Sequence, residues 1–268
     1  MSSYQVLMRD AALDRVDANV LMRHVTGTNR AWLIAHGDDE ATPAHEEAFA
    51  ALAARRRNGE PVAYLVGTRE FFGRDFAVDP AVLIPRPETE LLVELALARA
   101  GQGERVVDLG TGSGCIPVTI KLERPDLVVS AVDISTDALA VARGNAAQLG
   151  ADVVFHQSDW YTALTGQTFD VIVSNPPYIV AGDAHLVQGD LRFEPQGALT
   201  DFADGLKHVR IIVAGAREHL APHGYLLFEH GFDQGPASRA LLADAGFVEV
   251  KTWTDLAGLD RVSGGRLA

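Results

Sequence analysis

Short apolar runs, each ended by a polar residue or a glycine, recur from about residue 105 onward. They are RVVDL (105–109), LVVSAV (127–132), DVVFH (152–156), FDVIV (169–173), GYLLFE (224–229) and GFVEVK (246–251). Runs of this length and β-branched content predict buried strands. Between them lie stretches with helical spacing, such as 137–148 and 205–219. Alternation of strand and helix predicts an α/β fold with a doubly wound, mostly parallel sheet.

The first 68 residues follow a different pattern, and an all-helical domain is expected there. Asp17 is read as the cap of a helix carrying Val20, Leu21 and Val25. Thr42-Pro43 starts another, with a capping hydroxyl followed by proline at the first helical position. That helix runs to Arg57, and Gly59 ends it. Residues 69–87 mix aromatic and β-branched positions with Gly73 and Asp79-Pro80, which predicts a hairpin connector. The expected organisation is 1–68 helical, 69–87 hairpin linker and 88–268 the α/β domain.

Composition adds limits. Of 268 residues, 47% are hydrophobic and 22% charged, a balance suited to a sizeable core. No stretch reaches the ~18 consecutive apolar residues of a membrane span, so no membrane partner is expected. The start lacks the basic and apolar segments of a signal peptide. Cys115 is the only cysteine, which excludes an intrachain disulfide and fits a reducing, cytoplasmic setting. A net charge of −13 disfavours broad phosphate binding, and no direct nucleic-acid partner is expected. Arg55-Arg56-Arg57 is read as a solvated helix end.

Candidate chemistry begins at VVDLGTGSGC. Gly110, Gly112 and Gly114 follow the first strand, where glycines permit a tight turn and let backbone N–H groups approach a ligand. The spacing is not that of a phosphate-cradling nucleotide loop. Asp133 closes the second strand, where a carboxylate accepts hydrogen bonds from the ribose hydroxyls of an adenosine; capping a helix is the plainer role. Asp108 either accepts from a ligand ammonium or holds the turn. Asp159 and Trp160 follow the third strand and suit an adenine, by hydrogen bond and by ring packing, or else serve as cap and core.

VIVSNPPYIV (171–180) poses the sharper problem. Asn175 stands at the end of the fourth strand, where ligands of open parallel sheets bind. Its side-chain carbonyl and the backbone carbonyl of Pro176 can accept the two hydrogens of one N–H2 group. Pro176 and Pro177 stiffen the loop, and Tyr178 can cover a flat group. An amide or aniline-like nitrogen has a delocalised lone pair; two acceptors localise it and stabilise developing charge. No strong base is required beforehand, and no histidine adjoins the motif. Metal ligation is not expected.

These motifs, taken in order, resemble bacterial protein-(glutamine-N5) methyltransferases acting on class 1 peptide chain release factors, a family of class I methyltransferases with a Rossmann-like sheet. The resemblance rests on GEPVAYLVGTREFFG (59–73), VLIPRPETELLVE (82–94), VVDLGTGSGCI (106–116), Asp133, SDWY (158–161), SNPPYI (174–179), EPQGAL (194–199), DGL (204–206) and LLFEHG (226–231). IPRPETE discriminates most, because the glycine loop and NPPY also occur in DNA and RNA amino-methyltransferases. The resemblance implies S-adenosyl-L-methionine as donor, S-adenosyl-L-homocysteine as product, and a release-factor Gly-Gly-Gln glutamine as acceptor. It implies that Asp108, Gly110, Thr111, Gly112, Ser113, Gly114, Asp133, Asp159, Trp160 and Asn175 hold the donor. Asn175, Pro176, Pro177 and Tyr178 hold the glutamine, with Asn175, Pro176 and Tyr178 catalytic. Arg86, Glu88 and Thr89 line the active site or its lid, and the helical domain docks the release factor. The chain departs from the family at Phe202, where a glycine is usual, and over 181–193.

Other readings are a glutamine methyltransferase of a large-subunit ribosomal protein and an adenine-N6 or guanine-N2 methyltransferase. The acidic balance and IPRPETE speak against the latter. A dehydrogenase accounts for the sheet and Asp133 but not for NPPY, and a non-catalytic adaptor accounts for none of the site residues.

Overall fold

The computed structural model describes residues 2–268. The chain forms two compact units, one ending at Thr68 and the other spanning Arg69–Ala268.

The first unit holds α1 (Tyr4–Asp10), α2 (Arg15–Thr26), α3 (Arg30–Ala35), α4 (Pro43–Arg57) and α5 (Val62–Val66). Ser3, Asp14, Asn29 and Thr42 cap the first four by accepting backbone N–H groups. The α2 cap is therefore Asp14, not Asp17. Asp14 has a non-helical backbone, and its side chain accepts from Val16 N–H, whereas Asp17 lies in the first turn. Asp17 instead pairs with Arg56 at 2.7 Å, tying α2 to α4. Arg55 pairs with Glu60, and Arg57 donates to the Ala11 carbonyl. The arginine run is thus engaged within its own unit rather than simply solvated. Leu21, Met22, Leu33, Phe49 and Leu65 form the core.

A hairpin follows, β1 (Thr68–Phe71) and β2 (Arg74–Ala77), all but its first residue belonging to the second unit. Phe72 and Gly73 at its turn both have positive φ, matching the twist of the strands. The hairpin is shorter than the stretch expected to form it. Residues 78–86 run on as a loop, with a turn at Asp79 closed by the N–H groups of Ala81 and Val82. There follow α6 (Glu90–Leu97), β3 (Arg105–Leu109), α7 (Cys115–Glu123), β4 (Val128–Asp133), α8 (Thr136–Leu149), β5 (Val153–Gln157) and β6 (Phe169–Ser174). The chain continues through α9 (Gln196–Leu199), α10 (Lys207–His219), β7 (Leu220–Glu229), α11 (Gly235–Asp244), β8 (Phe247–Thr254) and β9 (Asp260–Leu267).

The sheet order is β5-β4-β3-β6-β7-β9-β8. The first five strands are parallel, and β9 runs antiparallel to both β7 and β8. Alternate residues feed two cores. Val106, Val171 and Val173 join Leu92, Ile116 and Ile120 on one face; Val107 and Ile172 join Phe169, Val213 and Phe228 on the other.

Strand β9 is absent from the sequence expectation. Its segment, DRVSGGRL, carries polar residues and two glycines where an apolar run is sought. The glycines have a packing cause: a Cβ on Gly264 would stand 2.5 Å from the Leu226 carbonyl oxygen.

The topology fixes where a ligand can bind. Strand β3 lies between β4 and β6, so the winding direction reverses beside it, and its carboxyl end opens a crevice. The register pairs Leu109 with Ser174. Gly110 and Asn175, the next residues on each strand, therefore emerge side by side.

Candidate active site

The glycine loop after β3 is closed onto β4. Gly110 and Thr111 donate N–H groups to the Val132 carbonyl, and Gly112 donates to Asp133 Oδ2 at 2.9 Å. Asp133 Oδ1 accepts from Ser135 N–H. The helix cap is Ser135, whose hydroxyl accepts from Ala138 N–H, so Asp133 does not cap α8; it braces the two loops and keeps further lone pairs on both oxygens. Gly110, Gly112 and Gly114 all have positive φ. A Cβ on Gly114 would approach Ala142 to 3.0 Å, so this glycine permits close packing of α7 on α8 and lies off the cavity wall. Asn145, fully buried in α8, accepts from Ala77 N–H and donates to the carbonyls of Ala77 and Ser113. It anchors the loop to the hairpin, a role that the sequence reading missed.

Above this loop is a cavity of about 320 Å³. Its walls include Gly110–Ser113, Asp133, Ser158–Trp160, Asn175 and Pro177, together with parts of the 81–86 and 195–198 segments. Trp160, at positive φ, lays its ring edge over Gly110. The Asp159 carbonyl accepts from the Thr162 N–H and hydroxyl, and the residue is exposed at the cavity wall. No histidine adjoins NPPY in the sequence, but the fold brings His208, from α10, to the wall. Its ring lies 5.2 Å from that of Trp160, and burial lowers its pKa.

Asn175 reaches this wall from the β6 side. Its Nδ2 donates to Thr89 Oγ1 at 3.2 Å. The Thr89 hydroxyl donates to Glu229 Oε2 at 2.7 Å, and the Tyr178 hydroxyl donates to Glu229 Oε1 at 3.2 Å. This last bond changes the picture for Tyr178, whose hydroxyl is held by Glu229 and whose ring does not form part of the cavity wall. Pro176 and Glu88 are also off the wall, while Pro177, Arg86 and Thr89 are on it. Arg86 pairs with the fully buried carboxylate of Glu194, which also accepts from Ile84 N–H at 3.0 Å.

Comparisons with known proteins identify the family. Residues 87–191 match the methyltransferase small domain family, and 4–67 match the PrmC N-terminal domain. The chain is 54% identical to a release factor glutamine methyltransferase from Bordetella pertussis, over the full length of both. It is 54% identical to one from Neisseria gonorrhoeae, over 95% of this chain and 94% of that one. The chain belongs to the release factor glutamine methyltransferase family. Among solved structures, a methyltransferase from Pyrococcus furiosus shares the fold, with a TM-score of 0.56, 19% identity, and coverage of 80% of this chain and 96% of that one.

Within this release factor glutamine methyltransferase family member, two carboxylates besides Glu194, those of Asp108 and Glu229, are buried beside the loops of the site. Burial raises Asp108 to about 7. Neither of its oxygens has a well-formed hydrogen bond, so it does not hold the turn through backbone N–H groups; the buried Thr111 hydroxyl nearby gives only partial relief. Glu229 is likewise raised to about 7, chiefly by burial, with Thr89, Arg261 and Tyr178 opposing the shift. Both residues end apolar runs, the same signal that marked Asp133, but only Asp108 was singled out from the sequence. Phe202, at the family's glycine position, has φ 55 and is 69% exposed. The left-handed backbone explains the glycine preference, and a phenylalanine there costs about 1–2 kcal/mol. The 181–193 segment forms two 3-10 turns, Ala184–Val187 and Gly189–Phe193.

Proposed function

We propose that this chain transfers a methyl group from S-adenosyl-L-methionine to the side-chain amide nitrogen of the Gly-Gly-Gln glutamine in class 1 peptide chain release factors. The glycine loop from Gly110 to Ser113, Asp133, Asp159 and Trp160 hold the donor. When bound, that donor supplies an electrophilic methyl on a sulfonium. The fit rests on the wall itself: His208 Nδ1 is buried there without a hydrogen-bond partner, Thr111 Oγ1 has only the poorly formed contact with Asp108, and both suit a polar ligand.

One observation carries the acceptor side. The Asn175 amide nitrogen is taken up by Thr89, which leaves the Asn175 carbonyl oxygen for a ligand. That oxygen and the Pro176 carbonyl accept the two hydrogens of the glutamine amide. Electron density is thereby localised on the nitrogen, and fixed orientation of this kind lowers a barrier by up to about 7–11 kcal/mol. Charge developing on nitrogen meets acceptors already in place. The proton leaves after transfer, from a nitrogen made acidic by alkylation. Arg86 and Thr89 shape the acceptor side of the cavity, and Tyr178 supports it from behind through Glu229. The helical unit docks the release factor, and the reaction takes place in the cytoplasm.

Labelled S-adenosyl-L-methionine offered with release factor, ribosomes and DNA tests this reading. Label in the release factor glutamine is the expected result. Label only in ribosomal protein or only in nucleic acid overturns it.

A further inference from the structure

The carboxylate of Glu229 does not reach the cavity, yet it is joined to Asn175 by two hydrogen bonds in series. Thr89 is the link, and a hydroxyl has a single hydrogen. An ionised carboxylate only accepts, so the Thr89 hydrogen must point at Glu229. The Thr89 oxygen is then left with lone pairs alone towards Asn175, and the Asn175 group facing it must be N–H2. The amide carbonyl is forced the other way.

We propose that Glu229, acting through Thr89, sets the polarity of the Asn175 amide and so fixes whether the site offers an acceptor or a donor to the substrate nitrogen. Glu229 and Thr89 are positioning residues in this scheme. The inference rests on the glutamine-amide reading above and adds the element that aims its key side chain.

The chain of bonds can also run in reverse. A protonated Glu229 can donate to Thr89 Oγ1, which frees the Thr89 hydrogen to point at Asn175. The Asn175 carbonyl then turns to Thr89, and its N–H2 group faces the site. Two N–H2 groups cannot hydrogen-bond to each other through their hydrogens, so the acceptor amide loses its partner. The groups around Glu229 set where this reversal occurs. Arg261 on β9 favours the ionised form and Glu88 disfavours it. Tyr178 donates from the NPPY loop, and Cys115, at the start of α7, is within electrostatic reach. Burial raises Glu229 to about 7, which brings the reversal into an accessible range.

Two measurements on the full-length protein test the relay. The first follows methyl transfer to release factor by parent, Thr89→Val, Thr89→Ser and Glu229→Gln. Loss of one hydrogen bond acting in the transition state predicts a kcat about 10–100-fold lower in Thr89→Val. Thr89→Ser keeps the hydroxyl and should keep kcat within a few-fold. In Glu229→Gln the amide can donate to Thr89 and impose the reversed polarity at every pH. The parent should lose kcat as pH falls through the Glu229 transition, and both Thr89→Val and Glu229→Gln should lack that limb. S-adenosyl-L-homocysteine affinity, measured by calorimetry, should be unchanged. Parental kcat in Thr89→Val overturns the proposal. So does a loss of kcat accompanied by an equal loss of S-adenosyl-L-homocysteine affinity and thermal stability, the pattern of a merely structural role.

The second measurement needs no reaction. The Asn175 side-chain N–H2 resonance of the unliganded protein is assigned by its disappearance in Asn175→Ala. It should shift with pH in the parent and stay fixed in Glu229→Gln. A shift in the parent without methylation of release factor would sink the substrate reading and leave the relay standing. Methylation with an Asn175 resonance that ignores pH would do the opposite.

Discussion

Glu194 reaches across the chain to Arg86 and the Ile84 N–H, joining two segments that both border the cavity. The carboxylate is fully buried, while the guanidinium is partly exposed. One side chain thus holds the 81–86 and 195–198 walls at a fixed separation. Glu194→Ala leaves a buried N–H without an acceptor and should cost about 1–3 kcal/mol in a denaturant titration. Its effect on turnover should fall more on KM than on kcat, since the walls shape the acceptor side rather than the reacting atoms. Unaltered stability would show that the clasp contributes nothing.

Asn175→Ala removes the acceptor that the Thr89 bond leaves pointing at the ligand. Its rate should fall by about 10²–10³-fold, as for other preorganised groups acting on developing charge. The residue is only partly buried, so the melting temperature should change little. Undiminished kcat would refute the assigned role.

Asp133 braces the glycine loop, and we propose that it also binds the donor; its replacement should reveal both duties. Asp133→Ala frees the N–H groups of Gly112 and Ser135, which it now holds at 2.9 Å each. Lower affinity for S-adenosyl-L-homocysteine by calorimetry should therefore come with a loss of about 1–3 kcal/mol of stability. Intact affinity in a destabilised variant would reduce Asp133 to a loop anchor.

The pH dependence of stability follows from Asp108 and Glu229. Both have folded values near 7, above the ordinary values of 3.8 and 4.5. Between those limits the folded state binds more protons than the unfolded state, so these two groups make stability fall as pH rises from about 4 to about 7. Asp108→Asn removes one of the penalties. It should melt higher than the parent at pH 8, by about 2–4 °C for each kcal/mol relieved, and should converge with it at acid pH. A variant melting lower at pH 8 would mean that the ionised carboxylate has a stabilising partner.

Much of the fold was legible because its signals are local. The apolar runs ending at Leu109, Asp133 and Ser174 mark strands wherever they pair, and Thr42-Pro43 announces its own helix. Strand β9 was not legible, since Gly264 and Gly265 are chosen by close contacts with β7 and β8 rather than by strand propensity. The same division holds at the site. The glycine loop, Asp133 and Asn175 lie where short motifs place them. Asn145 and His208 reach it through helix packing. Tyr178 was expected at a flat ligand, but its hydroxyl finds Glu229, a partner 51 positions away.

The pairing of Leu109 with Ser174 has a consequence for how such a protein can change. The glycine loop and the NPPY loop, proposed to hold donor and acceptor, hang from neighbouring strands, and their spacing is kept by main-chain hydrogen bonds. A slip of one residue between β3 and β6 would displace one loop against the other by about 3.3 Å, enough to separate the reacting groups. The alignment is thus indifferent to which side chains decorate either loop. Evolution or design can exchange the segment after β6 for one that reads another amino group while leaving the other half untouched, as a tool changes its bit and keeps its shaft.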